Sequence, residues 1–199
     1  MNELIYITTN PLKQAEVELL LVKKYGINVQ FITPDFEVLE IQASNCGDVA
    51  KFSAKYAAEI LQKPVLKSDS GLYIEALGGL PGPYNSYFCN QIGIEKFLKL
   101  LANEPNRKAR LEHCFAYCEP SKEPIVFIGH SEGYISYEPR GKTGAWHDKF
   151  YIPKGENKTL SELRDIDHVY ESKFWGNALS SFAEWYLQNK LNCERSKKI

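Results

Sequence analysis

The sequence lacks any apolar run approaching the length of a membrane span, so no membrane partner is expected. It also lacks an excess of positive charge. With 24 Lys and Arg against 25 Asp and Glu, the formal net charge is -1. No overall basic field draws it to nucleic acid, and an anionic ligand must be held by a local site. The opening "MNELIYITTN" has no charged leader and no cleavage site, so no secretion signal is expected. The five cysteines are an odd number without disulfide spacing. Cys114 and Cys118 lack a second pair to complete a zinc set, and reduced, buried thiols in a cytoplasmic protein are the simpler reading. There is no internal repeat and no low-complexity linker. What remains is an ordinary globular composition, 44% apolar and 25% charged over 199 residues. That suits one domain, single or two-lobed, spanning 1–199.

The pattern of elements predicts an α/β fold. "LIYITT" (4–9) reads as a first strand. Asn10 and Pro11 read as cap and first residue of a helix that Gly26 ends. "NVQFIT" reads as a second strand, and "DVAKFSAKYAAEILQK" has helical apolar spacing. "VLKSDSGLYIEAL" reads as a strand, or a strand pair broken near Asp69. "IEKFLKLLAN" reads as a helix. "ARLEHCFAYC" and "PIVFIGHSEGYISYEP" read as long antiparallel neighbours. "PRGKTGAWHDKFYIPKGENK" reads as an irregular loop. Thr159 and Glu162 form a capping box for a short helix, and "GNALSSFAEWYLQNKLN" is the last helix. Helices alternate with strands early and long strands pair later, which predicts a mixed sheet with helices packed on it.

Two places concentrate chemistry. The first is the strand-to-helix junction, where free N–H groups and the positive dipole end suit a phosphate. Lys13, in the first helical turn, faces that positive end at a cost of roughly 0.3–1 kcal/mol. An anion shared between Lys13 and the helix end offsets the cost, with Thr8 and Asn10 as further donors. Taken alone, a solvated lysine and a plain cap explain the junction more simply. The second place is "SDSG", where Asp69 lies between two hydroxyls and ahead of a glycine that lets a ligand near the backbone. If Glu40 converges on Asp69, the pair can bind a hard divalent ion and orient a water. The alternative is a turn-capping Asp69 and an exposed Glu40. "LGGLPGPY" is a run of turn signals that shapes a pocket or makes a corner.

"TTNPLKQAEV", Glu40, "SDSGLYIEALGGLPGPY", "PRGKTGAWHDKFYIP", "KTLSELRD" and "GNAL" follow one another in an order that resembles the inosine triphosphate pyrophosphatase family. The resemblance runs over nearly the whole chain, and "DSGL…ALGGLPGPY" is its most specific part. It implies an elongated central mixed sheet with helices around it in two lobes, a nucleotide in the cleft between them, and a homodimer. It implies Mg²⁺-dependent hydrolysis of a deaminated purine nucleoside triphosphate to the monophosphate and pyrophosphate. Residue by residue, it assigns Thr8, Asn10 and Lys13 to the triphosphate and Glu40 to the metal. Asp69 is assigned to the metal and to activating water. Ser70, Gly71 and the loop after them fall in the phosphate and sugar region, and Trp146, His147 and Asp148 near the base.

The chain departs from the family pattern at several points. The second-helix lysine falls on Ser53, with Lys51 and Lys55 on other helix faces. The acid ahead of Asp69 is Ser68, the basic residue after Pro-Tyr is Ser86, and the glycine before Asn10 is Thr9. The Ser-His-Arg base-reading motif is replaced by Lys173, Phe174 and Trp175, and the lysine ahead of it by His168. Aromatic rings stack on a base without reading its 6-oxo edge. Packing for the last helix explains Phe174 and Trp175 equally well. His113 and His130 read as ordinary strand histidines. The readings that follow are a pyrophosphatase with shifted base preference, a catalytically impaired nucleotide-binding protein, and a hydrolase of another diphosphate-containing molecule.

Overall fold

The computed structural model describes residues 4–167 and 172–196, except for the side chains of 172–176 and 190–196. Leu4–Ile7 (β1) is buried at every position. An unbroken apolar run suits it, because both of its faces are covered and parallel strands flank it. Those neighbours are Val29–Ile32 (β2) and Val65–Ile74 (β3). The two-residue strand Pro81–Gly82 (β4) pairs antiparallel with β3. On its other side β3 pairs antiparallel with Lys108–Cys118 (β5), which pairs with Ile125–Ile135 (β6), which pairs with Tyr151–Pro153 (β7). The sheet order is β2-β1-β3-β5-β6-β7, with β4 off that path.

The helices start and stop where local chemistry directs. In Pro11–Val17 (α1), the Asn10 side chain accepts from the Leu12 amide at 2.9 Å, and Pro11 supplies the preset φ of a first residue. The chain continues as a π-helical turn, Glu18–Lys24, and stops at Gly26 with φ +65°. Asn45 caps Cys46–Leu61 (α2), which ends on a left-handed Gln62. Asn85–Lys99 (α3) is kinked at Gly93. Thr159 and Glu162 close the expected capping box on Leu160–Ile166 (α4). Ser172–Ser196 (α5) is the last helix.

Side chains alternate across β3, so Leu66, Ser68, Ser70 and Leu72 share one face and Val65, Lys67 and Asp69 the other. On the first face, α1 with its π turn and α5 bury Tyr6, Leu66, Phe115 and Phe182 in one cluster. Farther along that face, α3 and α4 bury Leu72, Phe97, Leu111 and Phe150 in a second. On the opposite face α2 packs Ala50, Ala54, Ala57 and Ala58 over Ile5, Val65 and Ala116. Alanine lets the helix lie close to the sheet.

The sheet also contains a gap. β1 pairs β3 only at Val65 and Leu66, and β4 pairs it only at Leu72 and Tyr73. On that side, residues 67–71 of β3 have no strand partner.

Several sequence expectations need correction. Of the two alternatives for β3, the single strand is the one formed: it runs through Asp69, held by an unbroken ladder to β5 from Val65–Cys118 to Ile74–Ala109. The third helix starts at Asn85, earlier than the apolar spacing implied, because its first part lies against the cleft rather than in a core. The segment read as irregular holds a 3-10 turn, Trp146–Lys149, and β7. No described helix is long and apolar enough to cross a membrane.

Candidate active site

The gap in the sheet opens into a cleft of about 290 Å³. Asn10 and Lys13 enter it from the start of α1, Glu40 from the segment after β2, and Asp69 and Ser70 from β3. Tyr84, Asn85 and Ser86 at the start of α3 form the far wall with Trp146 and His147. Five separate stretches of sequence therefore meet where strand pairing is interrupted.

Side chains of the cleft meet two main-chain groups of the gap. Lys13 Nζ donates to the Ser68 carbonyl at 3.4 Å. The Ser70 amide donates to the Asp69 carboxylate. Burial pushes the Asp69 carboxyl up to about 6, against the opposing pull of Lys13 and that amide. Asp69 Oδ2 is buried with no hydrogen-bond partner. A hard cation suits such an orphaned carboxylate oxygen, and Glu40, which is exposed, brings a second carboxylate to the same cleft.

Lys67 is a further charged residue at this site that the motifs do not mark. Its ammonium lies 3.9 Å from Glu40 Oε1 although its side chain is only 10% exposed. Burial lowers its pKa, with Glu40 pulling the other way. A lysine on a strand, two places before an acid on the same face, is the available signal.

The other expected residues divide by position. Thr8 does not line the cleft; its Oγ1 accepts from the Asn10 amide at 3.1 Å and shapes the turn into α1. Gly71 is buried, and a Cβ there would meet the Tyr73 ring at 2.7 Å and the Gly82 backbone at 3.0 Å. Asp148 is fully buried behind His147, 3.3 Å from its Nε2 and 3.2 Å from Arg164. His147 Nδ1 lies 3.1 Å from the Asn85 amide nitrogen, so Asp148 and Asn85 together fix the ring. Trp146 lines the cleft while meeting Phe97 and Phe150 edge-on. The side chains of Lys173, Phe174 and Trp175, and all of His168, lie outside the described residues. Of the strand histidines, His130 is exposed. His113 is buried beside Glu16 at 3.8 Å, and burial, Lys13 and His147 keep its ring neutral.

Two other features compete for attention. A larger hollow of about 640 Å³, around Tyr73, Arg110, Tyr134 and Lys154, contains none of Asn10, Lys13, Glu40 or Asp69. Cys46, Glu112 and Cys114 form a buried group of metal-ligating type. Their sulfurs are 2.7 Å apart, whereas two thiolates on one tetrahedral zinc stand about 3.8 Å apart. Thiol hydrogen bonds, Cys46 to Glu112 Oε1 at 3.2 Å among them, account for the group as it stands.

Fold and cleft together define a class: an α/β protein with lysines and acids gathered at a break in a mixed sheet. The chain belongs to the Ham1 family, whose sequence model matches residues 4–185. It is 41% identical over 187 residues to the dITP/XTP pyrophosphatase of Methanopyrus kandleri, covering 94% of this chain and 97% of that one. To the dITP/XTP pyrophosphatase of Methanosarcina acetivorans it is 37% identical over 186 residues, covering 94% and 98%. Among solved structures it is similar to a HAM1 protein from Coxiella burnetii, with TM-score 0.81, 28% identity and coverage of 94% and 100%. It is also similar to the Staphylococcus aureus Ham1 protein, with TM-score 0.78, 25% identity and the same coverage. The family resemblance carried by the motifs is borne out.

Proposed function

We propose that the protein hydrolyses a deaminated purine nucleoside triphosphate, of the dITP, XTP or ITP kind, to the monophosphate and pyrophosphate. The observation that carries this reading is the convergence of Asn10, Lys13, Glu40 and Asp69 on one cleft. The names of its relatives agree with it. Lys13 and Asn10 grip the triphosphate. The Asp69 carboxylate takes a proton from water as its oxygen bonds the α-phosphorus. The bond from that phosphorus to the bridging oxygen breaks, and the oxygen leaves with pyrophosphate. Glu40 and the orphaned Asp69 Oδ2 would hold Mg²⁺, which supplies charge neutralisation to the phosphates when bound. Trp146 and His147 are assigned to the base side, joined by Lys173, Phe174 and Trp175. The same reading takes a homodimer as the assembly and the cytoplasm as the compartment, in keeping with free cysteines.

A second reading, a nucleotide-binding protein with impaired catalysis, is favoured by two replaced residues. Ser53 donates to the Leu39 carbonyl at 2.9 Å, and Ser68 bonds the Tyr6 hydroxyl at 2.7 Å, so each serves the fold and adds no charge. Pyrophosphate release from a panel of triphosphates, with and without Mg²⁺, separates the two. The expected outcome is Mg²⁺-dependent release favouring dITP or XTP over dGTP, abolished in Asp69→Asn. Nucleotide binding without release supports the second reading.

A further inference from the structure

The Lys67 side chain is only 10% exposed, yet its ammonium nitrogen still reaches solvent and has no full set of protein partners. Among the described residues it makes no hydrogen bond, and its nearest acid oxygen is 3.9 Å away. An ammonium has three donors, and with no protein acceptor within hydrogen-bond distance they are left to water or to a ligand. Its strand position puts it on the Asp69 face, beside the unpaired edge of β3. Lys13 and Asp69 are near enough to act on it electrostatically. From the other side, Ser53 bonds the carbonyl of Leu39, adjacent to Glu40. Helix α2 and strand β3 therefore approach the same acid, and the positive charge absent at Ser53 is present at Lys67.

We propose that Lys67, which adjoins the cleft beside Glu40, is a catalytic residue that binds a phosphate oxygen of the substrate from that side, as Lys13 does from the start of α1. When phosphate arrives, the ammonium gains the donors' missing acceptors. It then helps hold the charge that grows on pyrophosphate as the bridging bond breaks. A purely structural lysine has a simpler form, a full ion pair with Glu40 at hydrogen-bond distance, and this one stands beyond that distance. The proposal rests on the pyrophosphatase reading for the reaction, though not for the phosphate contact.

The test compares wild type, Lys67→Met and Lys67→Arg by two readouts. These are calorimetric affinity for inorganic pyrophosphate, and kcat and KM for dITP hydrolysis. Loss of one charged hydrogen bond predicts pyrophosphate affinity about 10- to 100-fold weaker in Lys67→Met, with partial recovery in Lys67→Arg. It predicts a fall in kcat/KM of at least the same order, carried partly by kcat. Wild-type affinity and turnover in Lys67→Met, with a thermal midpoint at or above that of wild type, would overturn the assignment. Absence of dITP and XTP hydrolysis by wild type would sink the pyrophosphatase reading alone, and the pyrophosphate affinities would still decide Lys67.

Discussion

At the scale of single residues, burial decides more than identity. Asp148 shows this: it has no exposure, and burial pushes its carboxyl up to about 6 even with Arg164 at 3.2 Å. Between the unfolded value near 3.8 and about 6, the folded carboxyl holds a proton that the unfolded one has lost. Unfolding then releases a proton, so this group's contribution to stability falls as pH rises through that window. Removing the cation sharpens the effect. Arg164→Ala is expected to destabilise by about 3–5 kcal/mol at pH 7.5, where the carboxylate is stranded. The loss should shrink towards pH 5, where it is protonated. Urea unfolding at the two pH values measures the difference; a loss equal at both would mean the carboxylate is not stranded. The sequence suggested a base-side acid here, because the motif carried Asp148 as a name. It could not disclose that Asp148 is fully buried between His147 and Arg164, where it helps fix the His147 ring.

At the scale of elements, caps and periodicity were legible and interruptions were not. Asn10, Thr159 and Glu162 act within a few residues of themselves, so the sequence alone identified them. The hairpin of β5 and β6 was legible for a similar reason: its two long alternating runs meet at a short turn. By contrast, the sequence leaves β3 open between one strand and a pair broken near Asp69, since Asp69 and its serines are poor strand residues. The ladder to β5 overrides that propensity. Gly71 has a place in this design. Its missing side chain lets Tyr73 and β4 close against β3. In Gly71→Ala the Cβ falls 3.0 Å from the Gly82 backbone, which cannot swing aside as a flexible side chain can. We expect a loss of about 1–3 kcal/mol in denaturant unfolding together with weakened nucleotide binding. Unchanged stability would show that β4 sits more loosely than described.

At the scale of the whole molecule, the cleft lies where two apolar clusters on one sheet face stop short of each other. Between them the face carries Ser68, Ser70 and His113 rather than leucine or phenylalanine. The ordered motif blocks made the family legible, since a long exact order of blocks survives scattered substitutions. They could not reveal Lys67, whose partners are Glu40 in a loop and Asp69 on its own strand. The unpaired edge at 67–71 has a dynamic consequence. Peptide hydrogens on the open side of that stretch lack the second strand that covers Val65, Leu66, Leu72 and Tyr73, although the other side is still paired with β5. In deuterated buffer the Ser70 amide, held only by a carboxylate, should exchange faster than those flanking sites, giving a brief fast interval inside a slow strand. Pyrophosphate should slow that interval while leaving the far hairpin untouched, and uniform protection along β3 without ligand would argue against an open edge.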